Sequence, residues 1–230
     1  MTLSIGMVLF PDLTQLDLTG PYEVFGRMPH TRVHLIAATH APVRSERGLR
    51  IVPDTTFADA PVLDVLFVPG GVGVNHAMED AQLLAWLREQ AEHARYVTAV
   101  CTGALVLGAA GLLQGYRATT HWLSLDLLPL LGAQPVAERV VIDRNRITGG
   151  GVTAGIDFGL TVAAELYGNE VAAHLQLMLE YDPQPPFGSG SPRTANANVV
   201  AQVRTERQPM QDQRRTIVKR AAAQLQHKGA

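Results

Sequence analysis

Arg95-Tyr-Val-Thr-Ala-Val-Cys101-Thr-Gly-Ala-Leu-Val-Leu-Gly108 is the stretch that decides how this chain folds. Tyr96 to Val100 is a short apolar run suited to a buried strand, Cys101-Thr102-Gly103 breaks it, and Ala104 to Ala110 continues as a helix of small and aliphatic residues. Strand, sharp turn and helix in that order put a thiol at the carboxyl end of a parallel strand. The N–H groups and positive dipole end of the following helix would favour its thiolate. Cys101 is the only cysteine in 230 residues. Two readings stand for it: a nucleophile held on an elbow, or a small buried hydrophobe. Gly103 leaves room for a close backbone approach, which weighs toward the nucleophile.

Working outward, Val65-Leu-Phe-Val68 is a second buried strand, ending in Pro69-Gly70-Gly71. Adjacent glycines just past a strand either expose N–H groups to an anion or simply make a tight turn. Asp80 to Ala94 is the helix that carries the chain from there into the Cys101 strand. Leu3 to Phe10 opens the sheet and is closed by Pro11-Asp12. Asp17, in Gln15-Leu-Asp-Leu-Thr-Gly-Pro21, is then expected in the loop at the carboxyl end of that first strand. Thr19 is the expected cap, and Pro21 the first turn, of a helix over Tyr22 to Arg27. Val33 to Ala38 is another strand, and residues 47–52 make a short excursion at the sheet edge.

Beyond the elbow, Ala118-Thr-Thr-His121-Trp122 ends a short strand, and Leu123 to Leu131 is helical until Pro129 kinks or ends it. Val136 to Ile142 and Arg146 to Thr148 flank a hairpin turn at residues 143–145. Gly149-Gly150-Gly151 leads into a long apolar helix from Thr153 to about Tyr167, and a further helix covers Glu170 to Tyr181. Residues 182–192 are too rich in proline and glycine for regular structure. Val199 to Gln226 is helical in pattern and carries Arg204, Arg207, Arg214, Arg215, Lys219 and Arg220, which are expected on a solvated or dimer-packing face.

Alternating strands and helices predict an α/β protein with a doubly wound, mainly parallel sheet covered by helices on both faces. Ligands bind such sheets at the carboxyl edge, where Asp17, Gly70-Gly71 and Cys101-Thr102 converge. A carboxyl beside a thiolate in a partly dry pocket has a raised pKa and can donate a proton; otherwise Asp17 is a turn or capping residue. Thr102 offers a hydroxyl and an N–H, or simply caps the elbow helix. His121 reads as a packed or hydrogen-bonded histidine rather than a general base.

Composition limits what else the chain can do. A hydrophobic fraction of 47% and a net charge of −2 fit a soluble globular protein with no field for nucleic acid. A single cysteine fits a reducing cytoplasm, and the opening residues lack a signal-peptide pattern. No apolar run is long enough to span a bilayer. No metal-ligand spacing, phosphate loop or dinucleotide fingerprint is present, so cofactor-free chemistry is expected.

Read together, Gln15 to Pro21, Val68-Pro-Gly-Gly71, Ala99-Val-Cys-Thr-Gly-Ala104, Ala118-Thr-Thr-His-Trp122 and Thr148-Gly-Gly-Gly-Val-Thr-Ala-Gly-Ile-Asp157 resemble the ThiJ/PfpI (DJ-one-like) superfamily. The resemblance covers about residue 3 to Pro192 and is strongest to the branch that hydrates isocyanides. It implies a flavodoxin-like three-layer sandwich, similar to class I glutamine amidotransferases, over residues 1–195. Residues 196–230 are then a helical extension packed on the same domain or on a dimer partner. It also implies a homodimer, a small-molecule isocyanide substrate and a cofactor-free reaction in which R–N≡C and water give an N-substituted formamide.

Site residues follow from the matching motifs. Cys101 is the implied nucleophile and Asp17 stands where many relatives carry a glutamate. Protease-like relatives carry histidine where this chain has Thr102, which argues against peptidase or amidotransferase chemistry. Thr102 and Gly71 are expected to steady developing charge through their N–H groups beside Gly70, and Gly150 and Val152 to shape the pocket wall. Three alternatives stay open. They are a ligand-sensing domain related to AraC-type regulators, a glyoxalase-like thiol enzyme, and peroxide sensing at Cys101. The regulators continue into a helix-turn-helix domain, and the basic tail is too short for two such motifs.

Overall fold

The computed structural model describes residues 2–228. Strand β1 (Leu3–Val8) leads through a tight loop into α1 (Gln15–Phe25), and β2 (Thr31–Ala37) returns beside it. A small ribbon of β3 (Val43–Arg44) and β4 (Arg50–Ile51) forms the excursion expected there, and β5 (Thr55–Thr56) adds an edge strand with no strong signal in the sequence. Next come β6 (Val65–Val68), a single turn α2 (Val74–Ala77), α3 (Ala81–His93), β7 (Tyr96–Val100) and α4 (Gly103–Ala109). The short pair β8 (Arg117–Ala118) and β9 (Gln134–Pro135) brackets a 3₁₀ helix over Trp122–Leu131. The chain ends with β10 (Val140–Asp143), β11 (Arg146–Gly149), α5 (Ala154–Tyr167), α6 (Asn169–Met178) and α7 (Ala197–Lys228).

The main sheet runs β10-β11-β7-β6-β1-β2-β5. Every pairing in it is parallel except the β10–β11 hairpin, whose turn places Arg144 at a φ of 55°. Every residue of β6 is buried, because helices cover both faces. One face carries α1, α5 and α6; the other carries α2, α3 and α4, with the 3₁₀ segment and α7 packed outside α4. The core is knit by an aromatic cluster in which Phe25 of α1, Phe67 of β6 and Phe158 of α5 lie 5.6 to 6.2 Å apart between ring centroids.

Two differences from the sequence reading bear on the site. Helix α1 begins after Thr14 rather than Thr19, because the Thr19 hydroxyl bonds back to the Gln15 carbonyl (3.0 Å) inside the helix instead of capping it. Asp17 therefore stands in the first helical turn, not in the preceding loop. The segment after His121 is a 3₁₀ rather than an α-helix; Pro129 lies within it and Gly132 closes it in the left-handed conformation.

The elbow itself depends on Gly103. A Cβ there would overlap the Val68 carbonyl oxygen and stand 2.6 Å from that of Pro69, both backbone atoms that cannot turn aside. Gly103→Ala is expected to cost about 1–3 kcal/mol in urea denaturation, while Gly188→Ala, whose Cβ would meet nothing within 4 Å, leaves the midpoint unchanged.

Candidate active site

Cys101 sits at the top of β7 with a φ of 52°, a left-handed conformation that costs a non-glycine residue on the order of 1–2 kcal/mol. Its backbone shows what holds it there. The Cys101 N–H is shared between the carbonyls of Gly149 (3.0 Å) and Gly150 (2.8 Å), and its own carbonyl accepts from the Thr120 hydroxyl at 2.7 Å. The side chain is 5% exposed. Backbone N–H groups of Thr102 and Val152 are directed at the sulfur, and Val152 is itself at a positive φ of 26°.

Asp17 reaches the same point from α1 and is fully buried. Its Oδ2 accepts the Gly70 N–H at 3.0 Å, and the carboxyl lies within hydrogen-bonding reach of the Cys101 thiol. Oδ1 is buried and accepts from no nitrogen or hydroxyl among the described residues. Gly70 is pressed into the junction: a Cβ would stand 2.6 Å from the Thr102 nitrogen, 2.7 Å from Asp17 Oδ2 and 2.8 Å from Cys101 Cβ. The loop after β1 is zipped to the Gly70 loop by Thr14 N–H to Gly70 O (2.9 Å) and Gly73 N–H to Asp12 O (3.1 Å).

The expected glycine donors are already engaged. Gly70 gives its N–H to Asp17, and Gly71 gives its N–H to Thr102 Oγ1 at 3.1 Å. Gly150 gives its N–H to Arg139 O at 2.8 Å. Gly71 and Gly150 therefore stand beside the elbow as scaffold rather than as free oxyanion donors, and the N–H groups that face the sulfur belong to Thr102 and Val152. The Thr102 hydroxyl, spent on the Gly71 loop, makes no cap bond to α4.

Electrostatics in this dry site run against a second negative charge. Burial raises Asp17 from 3.8 to about 7, opposed by hydrogen bonds from Cys101 and Gly70. Burial first, and then the Asp17 charge, push the Cys101 thiol far above its usual range, against the Val152 and Thr102 N–H groups. The short helix behind Cys101 does not overcome desolvation, so the expectation of a thiolate favoured by the helix alone is corrected. Thiol and carboxyl are a coupled pair that loses its first proton near neutrality and resists losing the second.

His121 lines the pocket without acting as a base. Its Nδ1 accepts the Leu123 N–H at 3.3 Å; burial, then Arg214 and Arg207, lower its pKa to about 4. The pocket, about 210 Å³, is closed on its outer side by α7. Val203, Arg207, Met210, Gln211 and Arg214 share one helix face and line it together with Cys101, Trp122 and Glu46. Sequence reasoning missed this wall. Arg214 is 2% exposed rather than solvated, and the signal for it was its place between Met210 and the buried Ile217, Val218 and Ala221 at helical spacing. Glu46, whose Oε1 accepts from the Thr14 hydroxyl at 3.0 Å, carried no sequence signal. Among the described residues no group of three or more histidine, cysteine, aspartate or glutamate side chains is placed to hold a metal ion.

Comparison with known proteins places this geometry. The chain is 59% identical over 225 residues to isonitrile hydratase of Pseudomonas putida, covering 98% of this chain and 99% of that one. It is 33% identical over 193 residues to the HTH-type transcriptional regulator GbdR of Pseudomonas aeruginosa, covering 78% of this chain and 51% of the regulator. Among solved structures, a ThiJ/PfpI family protein from Pseudomonas syringae superimposes with a TM-score of 0.93 at 45% identity, covering 95% of this chain and 91% of that one. The DJ-1/PfpI family model matches residues 3–165, from the first strand of the sheet into the helix that follows the triple glycine, and the chain belongs to that family.

Proposed function

We propose that this chain is an isonitrile hydratase, converting R–N≡C and water into an N-substituted formamide with Cys101 as nucleophile and Asp17 as the proton carrier. The near full-length likeness to the Pseudomonas putida enzyme carries the reading. The thiol in the pocket, paired with a buried carboxyl, supplies chemistry that fits it. Regulators such as GbdR share the fold over about half their length, whereas the hydratase is matched from end to end.

The steps balance on one shared proton. With the pair singly ionised and its proton moved from the thiol to the Asp17 carboxylate, the Cys101 sulfur bonds to the terminal carbon of the isonitrile and the Asp17 carboxyl delivers that proton to the same carbon, leaving a thioimidate, S–CH=N–R. Asp17, now a carboxylate, takes a proton from water as the hydroxyl adds to the same carbon, and passes that proton to the nitrogen. The carbon–sulfur bond then breaks, the hydroxyl proton returns to Asp17, and formamide leaves with the sulfur again anionic. The N–H groups of Thr102 and Val152 face the sulfur and stabilise its anion. Gly70 holds the carboxyl in place, Gly71 and Val152 shape the wall, and the Gly150 carbonyl accepts the Cys101 N–H behind it. Working as a homodimer in the cytoplasm is part of the proposal. Leu177, Met178 and Phe187, 59 to 81% exposed, supply uncovered apolar surface, and among the described residues no helix is long and apolar enough to cross a membrane.

Three outcomes follow. With para-nitrophenyl isocyanide as substrate, Cys101→Ala abolishes formation of the N-formyl product, and Asp17→Asn lowers kcat by about 10²-fold or more with an unchanged far-ultraviolet circular dichroism spectrum; full activity in either variant removes that group from the mechanism. Because the Asp17 pKa is raised to about 7, both partners are protonated in acid and no sulfur anion is available. The pH profile of kcat/KM should therefore rise as one proton is lost near pH 7 and then level, where an ordinary carboxylate value would leave it flat from about pH 5 upward. Light scattering on the eluting protein should give twice the chain mass.

A further inference from the structure

Arg214 is a buried cation that the mechanism so far leaves unused. Its Nε donates to Asn75 Oδ1 at 3.0 Å, its Nη1 to Ser124 Oγ at 3.2 Å and its Nη2 to the Gly71 carbonyl at 3.4 Å, with Met210 Sδ at 4.0 Å. All are neutral. Two of its neighbours on α7 behave differently: Arg215 pairs with Asp126 and Arg220 with Glu79. Among the described residues no carboxylate lies within the 4.0 Å of an ion pair with Arg214. A buried charge without a partner is among the most costly things a fold can hold, and guanidinium does not escape the cost by losing its proton.

We infer that the missing partner is the site itself: Arg214 is a positioning residue whose fixed positive charge balances the single negative charge shared by Cys101 and Asp17. The titratable groups that share the pocket with Arg214 are Cys101 and His121 on the elbow side, Glu46 in the turn between β3 and β4, and Arg207 two turns before Arg214 on α7; Asp17 does not line the pocket but lies within hydrogen-bonding reach of the Cys101 thiol. Glu46 is tied to Thr14, and His121 is held neutral. Arg207 is exposed to solvent, so its field is screened. Burial works against the Arg214 charge, while the Cys101 and Glu46 charges support it. Its fork also grips the carbonyl of Gly71, whose N–H holds Thr102, so one side chain supplies both the field and the alignment of the loop beside the sulfur.

The inference rests on Cys101 being the reactive thiol, and the test separates it from the hydratase reading. The rate of carbamidomethylation by iodoacetamide is followed by intact mass as a function of pH. Cys101 is the only cysteine, so the adduct reports on it alone. Formamide production is measured in parallel; its absence in the wild type would count against the hydratase and not against Arg214. Removing the positive charge raises the pKa of the facing acid. Arg214→Met should therefore move the alkylation limb upward by about 1 pH unit or more, and Arg214→Lys should restore most of the shift. Asn75→Asp keeps the tether and the side-chain size but gives Arg214 a private carboxylate, and it should move the limb in the same direction. A limb that stays in place in Asn75→Asp, or in folded Arg214→Met, overturns the inference and leaves Arg214 as a tether between α7 and the domain; if Arg214→Met does not fold, Asn75→Asp decides alone.

Discussion

Backbone meets backbone where the loops after β6 and β7 cross, and the site exists because nothing stands between them. Gly70 lies against the Thr102 nitrogen and the Asp17 carboxyl, and Gly103 lies against the carbonyls of Val68 and Pro69. With those two contacts in place, Cys101 is lifted into its left-handed turn, the Gly70 N–H meets Asp17, and the Thr102 hydroxyl meets the Gly71 loop. Each of these bonds draws a different strand or helix to the same edge. The aromatic cluster of Phe25, Phe67 and Phe158 then keeps α1, β6 and α5 in fixed relation beneath it.

Desolvation, more than the helix behind the elbow, sets the chemistry. A lone buried thiol gains little from a helix of seven residues. A thiol with a carboxyl beside it behaves otherwise, because the two share a proton and only one charge must be accommodated. Thr102 and Val152 supply N–H groups to the sulfur, Gly70 supplies one to the carboxyl, and Arg214 adds a full positive charge at the pocket wall. All four act on groups that are themselves buried, where charges are screened less than in water.

Most of the fold was legible in the sequence because its strands are short, mainly apolar runs cut off by turn residues. β6 followed by Pro69-Gly70-Gly71, and β7 followed by Cys101-Thr102-Gly103, announce both their ends and the edge at which they meet. The convergence of Asp17, Gly70 and Cys101 followed from that parity of strand ends. The start of α1 was misjudged because a threonine before a proline looks like a cap, yet Thr19 satisfies itself within the helix. The burial of Arg214 could be read from its apolar neighbours on α7, but its role and that of Glu46 could not. Their roles come from contacts across the whole chain, such as the 139 residues between Arg214 and Asn75, and no local pattern encodes a partner so distant.

Burial of Cys101 also sorts reagents by shape. With 5% of the residue's surface open, a reacting atom must come to the sulfur through the pocket that Gly71, Trp122, Val152 and α7 line. The isonitrile group is a straight rod whose reacting carbon is its very tip, carrying no substituent but the nitrogen behind it. A reacting atom at the end of a rod asks for less clearance than one that carries substituents, as the carbon of a ketone does. Burial thus acts on this thiol twice, by raising its pKa and by narrowing its approach.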